Sequence, residues 1–275
     1  MPEYEFDRST PVSVALKLHR GTADITATDT PGIQVSVTPM DGSDSSRDAA
    51  GNYRVALDGD SLIVQPPDGF GWPLRRSPKI HIVVRVPAAS NLTAELASAD
   101  LRAKGDYGVV RAELASGDVY VERTAGNAEL KTSSGDAQVD RIGGSLRIGT
   151  ASGDIRVGDV AGDVSASSAS GDLALRSLGG SVQAKTASGD IEVGRVYQGQ
   201  ATFTSASGDV TVGVAAGTGV WLDLNTASGS TRSDLTMQDS APQAGQQATL
   251  ELRVRTASGD VHVRRALGDF ERNAA

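Results

Sequence analysis

Between residues 108 and 197, apolar and polar positions alternate in short runs that are separated by glycines. A glycine recurs every nine residues, and the positions two and four residues after it are apolar, as with Ile155 and Val157 after Gly153. Alternation with a period of two is typical of a β-strand. Each nine-residue unit is therefore predicted to be a short strand followed by a corner.

Two kinds of unit alternate along this part of the chain. The position seven residues after the glycine is large and apolar in one kind, as with Val160, and small in the other, as with Ala151. The tripeptide Ser-Gly-Asp marks only every second corner. The structural coil is therefore about eighteen residues long. Such a chain is predicted to be all-β and to wind as a parallel β-solenoid (a β-helix), in which each strand pairs with its copy about 4.8 Å away.

The predicted organisation is one β-solenoid domain over residues 1–275. Within it we predict irregular N-terminal coils and a cap over 1–98 with loops 40–51 and 66–78, regular repeats over 99–209, C-terminal coils over 210–265 with a loop 231–247, and a cap or tail over 266–275. The regular part is predicted to contain about six coils of two strands each. Its inward-facing residues are predicted to include Leu146, Ile148, Ile155, Val157, Val160 and Val164.

Composition narrows the classes of partner and compartment. The formal net charge of -8 argues against a nucleic-acid partner, which is normally bound by a strongly basic surface. The sequence contains no apolar run of the length that a signal peptide or a membrane span requires. The absence of cysteine is compatible with a reducing compartment and excludes thiolate metal sites and thiol nucleophiles. We therefore expect a cytoplasmic protein without a membrane span.

Four stretches together carry a resemblance to a known family. They are the opening HRGTADITATDTPGIQVSVTP, the segment IVVRVPAASNLTAELASADLRA, the Ser-Gly-Asp coils and the closing LELRVRTASGDVHVRR. In this order they resemble the bacterial β-strand-repeat family of unknown function named "putative adhesin", over about residues 12–265. The resemblance implies a β-solenoid and an adhesin-like role, and it implies no particular reaction or cofactor.

The aspartates of the Ser-Gly-Asp corners form the first candidate site. They would stand about 4.8 Å apart along one edge of the solenoid, so their mutual repulsion has to be offset. One hypothesis is a row of calcium sites, although the nonapeptide β-roll places its aspartate two residues after glycine rather than next to it. The alternative is that glycine forms the corner and each aspartate accepts backbone N–H groups. The candidate metal ligands are Asp118, Asp136, Asp154, Asp172, Asp190 and Asp209, with Asp100 preceding them.

A row of hydroxyl residues lies two positions before the serine of these corners. A flat hydroxyl face could recognise ice or sugar. Strand parity, however, predicts that the hydroxyls point inward beside core residues such as Val164 and Ala166 and bond to each other or to the corner backbone. The row comprises Thr132, Thr150, Ser168, Thr186, Ser205, Thr226 and Thr256.

The loop PPDGFGWPLRRSP, residues 66–78, is the third candidate. It concentrates aromatic and arginine side chains in a chain that is otherwise poor in aromatics, and these residue types are enriched at interaction hot spots. The alternative is a loop that packs Trp72 against a flank of the solenoid. The speculative contact residues are Phe70, Trp72, Leu74, Arg75 and Arg76.

Catalytic constellations are weak in this sequence. His19, His81 and His262 are far apart, no nucleophile or phosphate-binding motif appears, and His262 is predicted to be a solvated surface residue. We therefore predict a non-enzymatic scaffold or binding module without a cofactor. It is expected to bind a protein or glycan partner, and the prediction also allows a homo-oligomer. The alternatives are a polysaccharide lyase or hydrolase built on a β-helix, and a calcium-binding β-roll.

Overall fold

The computed structural model describes residues 2–67, 78–235 and 249–266, and they are almost entirely β-strand. The chain divides into two compact units, Met1–Gly143 and Gly144–Ala275, and the single domain over 1–275 stays a prediction. The elements of the first unit are β1 (Glu3–Phe6), β2 (Ser13–Thr28), β3 (Ile33–Pro39), α1 (Asp44–Gly51), β4 (Arg54–Asp58), β5 (Ser61–Gln65), β6 (Ile80–Pro87), β7 (Asn91–Tyr107), β8 (Val110–Ser116), β9 (Val119–Thr124), β10 (Ala128–Ser134) and β11 (Ala137–Ile142).

The second unit continues the strand-and-corner pattern. Its elements are β12 (Leu146–Ser152), β13 (Ile155–Val160), β14 (Val164–Ser170), β15 (Leu173–Leu178), β16 (Val182–Ser188), β17 (Ile191–Val196), β18 (Gly199–Ser207), β19 (Val210–Val214), β20 (Val220–Ser228), β21 (Thr231–Ser233), β22 (Leu250–Ser258) and β23 (Val261–Arg265).

The regular strands pair in parallel with a shift of eighteen residues. In the first unit Val110 of β8 lies opposite Ala128 of β10, and in the second unit Ile155 of β13 lies opposite Leu173 of β15. Each strand therefore stacks on its copy one coil away, and the all-β, parallel solenoid with two strands per coil is confirmed. The register follows from the repeat, because a one-residue slip would turn every core side chain outward.

The core is the row of alternate residues that the sequence pattern predicted. The six residues predicted to face inward are all between 0% and 3% exposed. An aromatic residue, Tyr107, interrupts the row of small and branched side chains. Tyr107 is fully buried, and its hydroxyl donates a hydrogen bond to the Ile25 carbonyl oxygen at 2.9 Å, so the phenol closes the interior of the first coils without leaving a polar atom unsatisfied.

The first coils of the N-terminal unit are not stacked in chain order. Strand β2 pairs along its length with β7, so that Ser13 lies opposite Asn91. Its other side pairs with β5 at Ser13–Leu16 and with β6 at Gly21–Thr28. The coil made by β5 and β6 therefore lies outside β2, although it follows β2 in sequence. Antiparallel pairing adds β4 to β5, β3 to β6 and β1 to β3 at this end of the unit.

A short helix interrupts the irregular N-terminal region. Residues 40–51 were predicted to be a loop, but Asp44–Gly51 form α1. The Ser43 side chain accepts a hydrogen bond from the Ser46 backbone N–H at 3.2 Å, which satisfies one of the free donors at the start of the helix. The helix is polar over most of its length and buries only Ser46 and Ala50, so no apolar period indicated it in the sequence.

The last coils of the C-terminal unit also depart from chain order. Leu252 of β22 lies opposite Ala201 of β18 on one side and opposite Leu222 of β20 on the other. Strands β22 and β23 therefore form a coil between the coil of β18 and β19 and the coil of β20 and β21. Residues 231–233, at the start of the predicted loop 231–247, form β21. The predicted cap 266–275 lies, apart from Ala266, outside the described residues.

The helix content of the fold bears on membrane insertion. In the described part of the chain, α1 is the only helix, and its eight residues are too few to cross a bilayer.

One core position carries a polar group without a partner. Thr124 of β9 is 3% exposed, its Oγ1 makes no hydrogen bond, and its counterpart Ile142 in β11 is apolar. We expect Thr124→Val to raise the free energy of unfolding by about 1 kcal/mol, because the new side chain has nearly the same shape and no hydroxyl to desolvate. Thermal unfolding measures this. The control Thr93→Val, at an exposed position of β7, should change little, and equal shifts in both variants would contradict the assignment.

Candidate functional site

The Ser-Gly-Asp corners bring two coils into very close contact. The glycines of these corners have positive φ angles, for example +143° at Gly171 and +142° at Gly189. A Cβ added to Gly171 would lie 2.0 Å from the Gly153 carbonyl oxygen of the neighbouring coil. Both the backbone conformation and the close approach therefore require glycine at these positions.

The aspartate of each corner holds the next coil through a hydrogen bond. The Asp172 carboxylate oxygen Oδ1 accepts the backbone N–H of Asp190 at 2.8 Å, and Asp190 in turn accepts the N–H of Asp209 at 2.8 Å. We call this arrangement the aspartate ladder. It comprises Asp100, Asp118 and Asp136 in the first unit, and Asp154, Asp172, Asp190, Asp209 and Asp260 in the second.

The ladder of the second unit ends at a serine. Asp260 Oδ1 accepts the Ser230 backbone N–H at 2.8 Å and the Ser230 hydroxyl at 3.0 Å, which together hold the pKa of Asp260 below its usual value. Within the described residues no coil follows Ser230, so a carboxylate at this corner would have no N–H group to accept. The exchange of aspartate for serine at position 230 therefore coincides with the end of the stack.

The hydrogen bonds at the corners are those of the predicted backbone role of the aspartates, and the calcium sites stay a hypothesis. A ladder carboxylate such as that of Asp118, Asp172 or Asp190 uses one oxygen to accept an N–H group of the next coil, which offsets part of its charge. Among residues 2–67, 78–235 and 249–266, no three acidic or histidine side chains come together in a group that could hold a metal ion. Within the described residues, Asp118 and Asp136 of the first unit, and likewise Asp154, Asp172, Asp190 and Asp209 of the second, are therefore brought into rows but not into clusters.

The hydroxyl row points into the solenoid. Thr186 Oγ1 donates a hydrogen bond to the Gly171 carbonyl oxygen at 3.4 Å, and Thr226 Oγ1 donates to the Gly259 carbonyl oxygen at 3.0 Å. Thr132, Ser168, Ser205 and Thr256 make the same kind of contact to a corner glycine. The predicted contact with the corner backbone is present, and these hydroxyls form no outer face for ice or sugar.

Two histidines lie within hydrogen-bond distance of aspartate carboxylates, which the sequence did not indicate. His81 Nε2 lies 2.7 Å from Asp24 Oδ2, and His262 Nε2 lies 2.7 Å from Asp234 Oδ2. Asp234 also accepts a hydrogen bond from Arg232 Nε at 2.9 Å. The hydrogen bond with His262, followed by that with Arg232, lowers the pKa of Asp234. His262 is at the surface as predicted, but it is paired with a carboxylate.

The aromatic loop and one further aromatic residue are the remaining candidates for a binding surface. Phe70, Trp72, Leu74, Arg75 and Arg76 lie outside the described residues, so the interaction loop stays a prediction. Trp221 of β20 was not singled out in the sequence, yet it is 48% exposed. The Arg253 guanidinium carbon lies 5.7 Å from the centre of a Trp221 ring, a cation–π distance that fixes the tryptophan on the outer face.

Comparison with known families agrees with this geometry. A model of the family described as Toastrack DUF4097 matches residues 14–264. The chain belongs to the Toastrack DUF4097 family. The match covers nearly all of the described solenoid, including the ends at which the coils leave chain order. Comparison with curated proteins gives no match.

A solved structure from Bacteroides fragilis shows the same fold at low sequence identity. A "putative adhesin" from Bacteroides fragilis is 11% identical, with 95% of this chain and 96% of that chain covered and a TM-score of 0.50. A protein from Parabacteroides distasonis described as a "putative lipid binding protein" is also 11% identical, with the same coverage and a TM-score of 0.47. The resemblance to an adhesin-named family of unknown function is confirmed, as is the solenoid that it implied.

The aspartate ladder makes a prediction about stability. Asp190→Ala removes the acceptor of the Asp209 N–H and should lower the free energy of unfolding by about 1 kcal/mol. Asp190→Asn keeps an acceptor oxygen and removes one charge from the row, so its melting temperature should stay close to that of the parent chain. The control Glu192→Ala removes an exposed carboxylate that lies 3.8 Å from Arg264, and it should have little effect. An asparagine variant as unstable as the alanine variant would contradict the ladder.

The end of the ladder makes a prediction about pH. The depressed pKa of Asp260 means that its ionised form stabilises the folded chain above the unfolded carboxyl pKa of about 3.9, and that this contribution is lost as the pH falls through the folded pKa. Ser230→Ala removes the hydroxyl donor and should raise the Asp260 pKa. Its loss of melting temperature should be largest near neutral pH and should vanish in acid. An unchanged Asp260 titration by carboxyl-detected NMR would contradict this role for Ser230.

Proposed function

We propose that this Toastrack protein is a non-enzymatic, adhesin-like scaffold or binding module that presents its outer faces to a protein or glycan partner. The observation that carries the proposal is the set of hydrogen bonds made by the aspartate and hydroxyl side chains. The aspartates of the corners and the hydroxyls beside them bond to the backbone of neighbouring coils. These groups therefore stabilise the stacking of the coils.

The ladder carboxylates share the same kind of partner, a backbone N–H group of the next coil, and this argues against catalysis. Glycoside hydrolysis needs two carboxyl groups whose environments differ, so that one donates a proton while the other stays ionised. In the ladder, Asp172, Asp190 and Asp209 each accept one backbone N–H of the next coil at 2.8 Å. Asp154 accepts the same kind of N–H group at 3.1 Å, and its other carboxylate oxygen lies 2.9 Å from the exposed Arg156 guanidinium. A repeat that gives its carboxylates the same partner also gives them the same role, and this favours a structural role for the row.

The outer faces are suited to contact with a partner rather than to enclosing a substrate. In the first unit the outward residues of neighbouring strands form exposed ion pairs, such as Lys131 with Glu113 and Arg111 with Glu129. In the second unit small exposed residues, among them Ala169, Ala187 and Ala206, lie beside the corners. A face with regularly spaced groups can bind a repeating or extended partner through many weak contacts.

The rival functions lack a supporting observation. Nothing among the described residues favours the polysaccharide lyase or hydrolase or the calcium-binding β-roll, and we do not propose either. The cytoplasmic location expected from the sequence stays a prediction, which cell fractionation measures.

An assay that records binding and turnover together tests the proposal. The purified chain is incubated with neutral, acidic and aminated polysaccharides, with calcium or with a chelator, and both retained glycan and newly formed chain ends are measured. We expect no new chain ends under any condition and no calcium-dependent rise in melting temperature, since a bound ion would stabilise the folded state. Release of chain ends that is lost in Asp172→Asn and Asp190→Asn would overturn the non-enzymatic assignment.

A further inference from the structure

The last coil of the second unit has an open strand edge. Strand β20 pairs with β22, and no strand in the described part of the chain pairs with its other side. The inward-facing Leu222 and Leu224 are only partly buried, whereas Leu252 and Val254, which lie opposite them in β22, are fully buried. The apolar interior of the solenoid is therefore exposed along β20.

The direction of the backbone groups at this edge follows from the ladder with β22. The Leu250 amide donates to the Gly219 carbonyl oxygen at 3.1 Å. In a parallel ladder the residues whose backbone groups face a given neighbour alternate, so the odd-numbered residues of β20 bond to β22. The backbone N–H and C=O groups of Leu222, Leu224 and Thr226 consequently face the open edge.

This edge lacks the features that normally prevent strand addition. Exposed edge strands are commonly protected by lysine, proline, bulges or inward-pointing charges. The sequence of β20, VWLDLNTAS, contains no lysine or proline, and its inward positions carry two leucines and a threonine. The corner that follows ends in the uncharged Ser230 rather than in an aspartate. The edge is therefore competent to pair with another strand.

We propose that β20 is the contact surface of a homodimer, in which the β20 strands of two copies of this chain pair antiparallel about a two-fold axis at Leu224. Two identical strands related by a two-fold axis are necessarily antiparallel, and the same patch serves both copies. The inward leucines of the two copies would then close each other's open interior. This inference is independent of the function proposed above.

The residues of β20 are self-complementary in this register. An axis at Leu224 places Leu224 opposite its own copy and Leu222 opposite Thr226, so all three residues with free backbone groups form hydrogen-bonded pairs. On the outer face Trp221 lies opposite the small Ala227, and Asp223 lies opposite the neutral Asn225. An axis at Asp223 would place two carboxylates opposite each other, which is unfavourable. This two-fold pattern favours a second copy over an unrelated partner.

Cysteine cross-linking tests the position of the axis directly, because the natural chain contains no cysteine. In Leu224→Cys the two thiols face each other across the axis, where opposite Cα atoms are about 5.5 Å apart, within the range of a disulfide. In the control Trp221→Cys the two copies of the residue are separated by six positions, or roughly 20 Å. We expect oxidation to give a covalent dimer of Leu224→Cys and none of Trp221→Cys. Equal cross-linking of both variants, or of neither, would overturn the register.

A matched pair of charge variants separates the dimer from the fold. In the dimer, residue 225 of each copy lies opposite Asp223 of the other copy, so the interface contains two such pairs. Asn225→Asp makes both pairs like-charged, whereas Asn225→Lys makes both pairs oppositely charged. We expect the dissociation constant from sedimentation to rise about tenfold in the first and to fall in the second. Within one chain the effects are reversed, since Asn225 lies opposite Arg255 and gains a favourable neighbour only as aspartate. If the variant with the more stable single chain also formed the tighter dimer, the proposed interface would be contradicted.

The other candidate occupant of the edge is residues 236–248 of the same chain. A parent chain that sediments as a single copy at all concentrations, with no cross-link in Leu224→Cys, would overturn the dimer. Dimers that form only after these residues are replaced by a glycine-serine segment of equal length would also overturn it, and would assign the edge to the chain's own segment.

Discussion

The hydrogen bond from an aspartate carboxylate to the backbone N–H of the next coil is the interaction on which the rest of the structure depends. A solenoid must turn sharply twice in every coil, and the turns leave backbone groups outside the strand ladders. At the Ser-Gly-Asp corner, glycine lets the chain turn while neighbouring backbones nearly touch. The aspartate then supplies the acceptor that the extra N–H requires. Strand register, the row of core residues and the inward hydroxyls all follow from corners that stack in this way.

This constraint also determines where function can reside. An aspartate that recurs at the same corner accepts the same kind of backbone N–H group in successive coils, so the repeat favours structural roles over a specialised site. Departures from the repeat are therefore the informative positions. Thr124 leaves a hydroxyl in an apolar row, Ser230 ends a row of carboxylates, and Trp221 places an aromatic side chain on the outer face. Two of these three, Ser230 and Trp221, belong to the last coil of the second unit.

The sequence was sufficient to predict the regular strands, because their core residues are specified by a local period. Ile155 and Leu173 are buried and paired as the eighteen-residue repeat requires. The order of the outer coils was not predictable in this way. Strand β22 satisfies the same alternation whether it lies outside β20 or between β18 and β20, and only long-range pairing decides. The serine at position 230 was the local signal of the end, since an aspartate there would lack an N–H partner. The helix α1 gave no apolar period at all.

Native-state hydrogen exchange at one corner tests the central claim most directly. The Asp190 amide lies at an exposed corner, and its acceptor is the Asp172 carboxylate. We expect this amide to exchange slowly in the parent chain and much faster in Asp172→Ala. The Leu173 amide, which donates to the Asp190 carbonyl oxygen, should keep its protection in both chains. An Asp190 amide that exchanges at the same rate in both chains would show that the carboxylates do not hold the coils together.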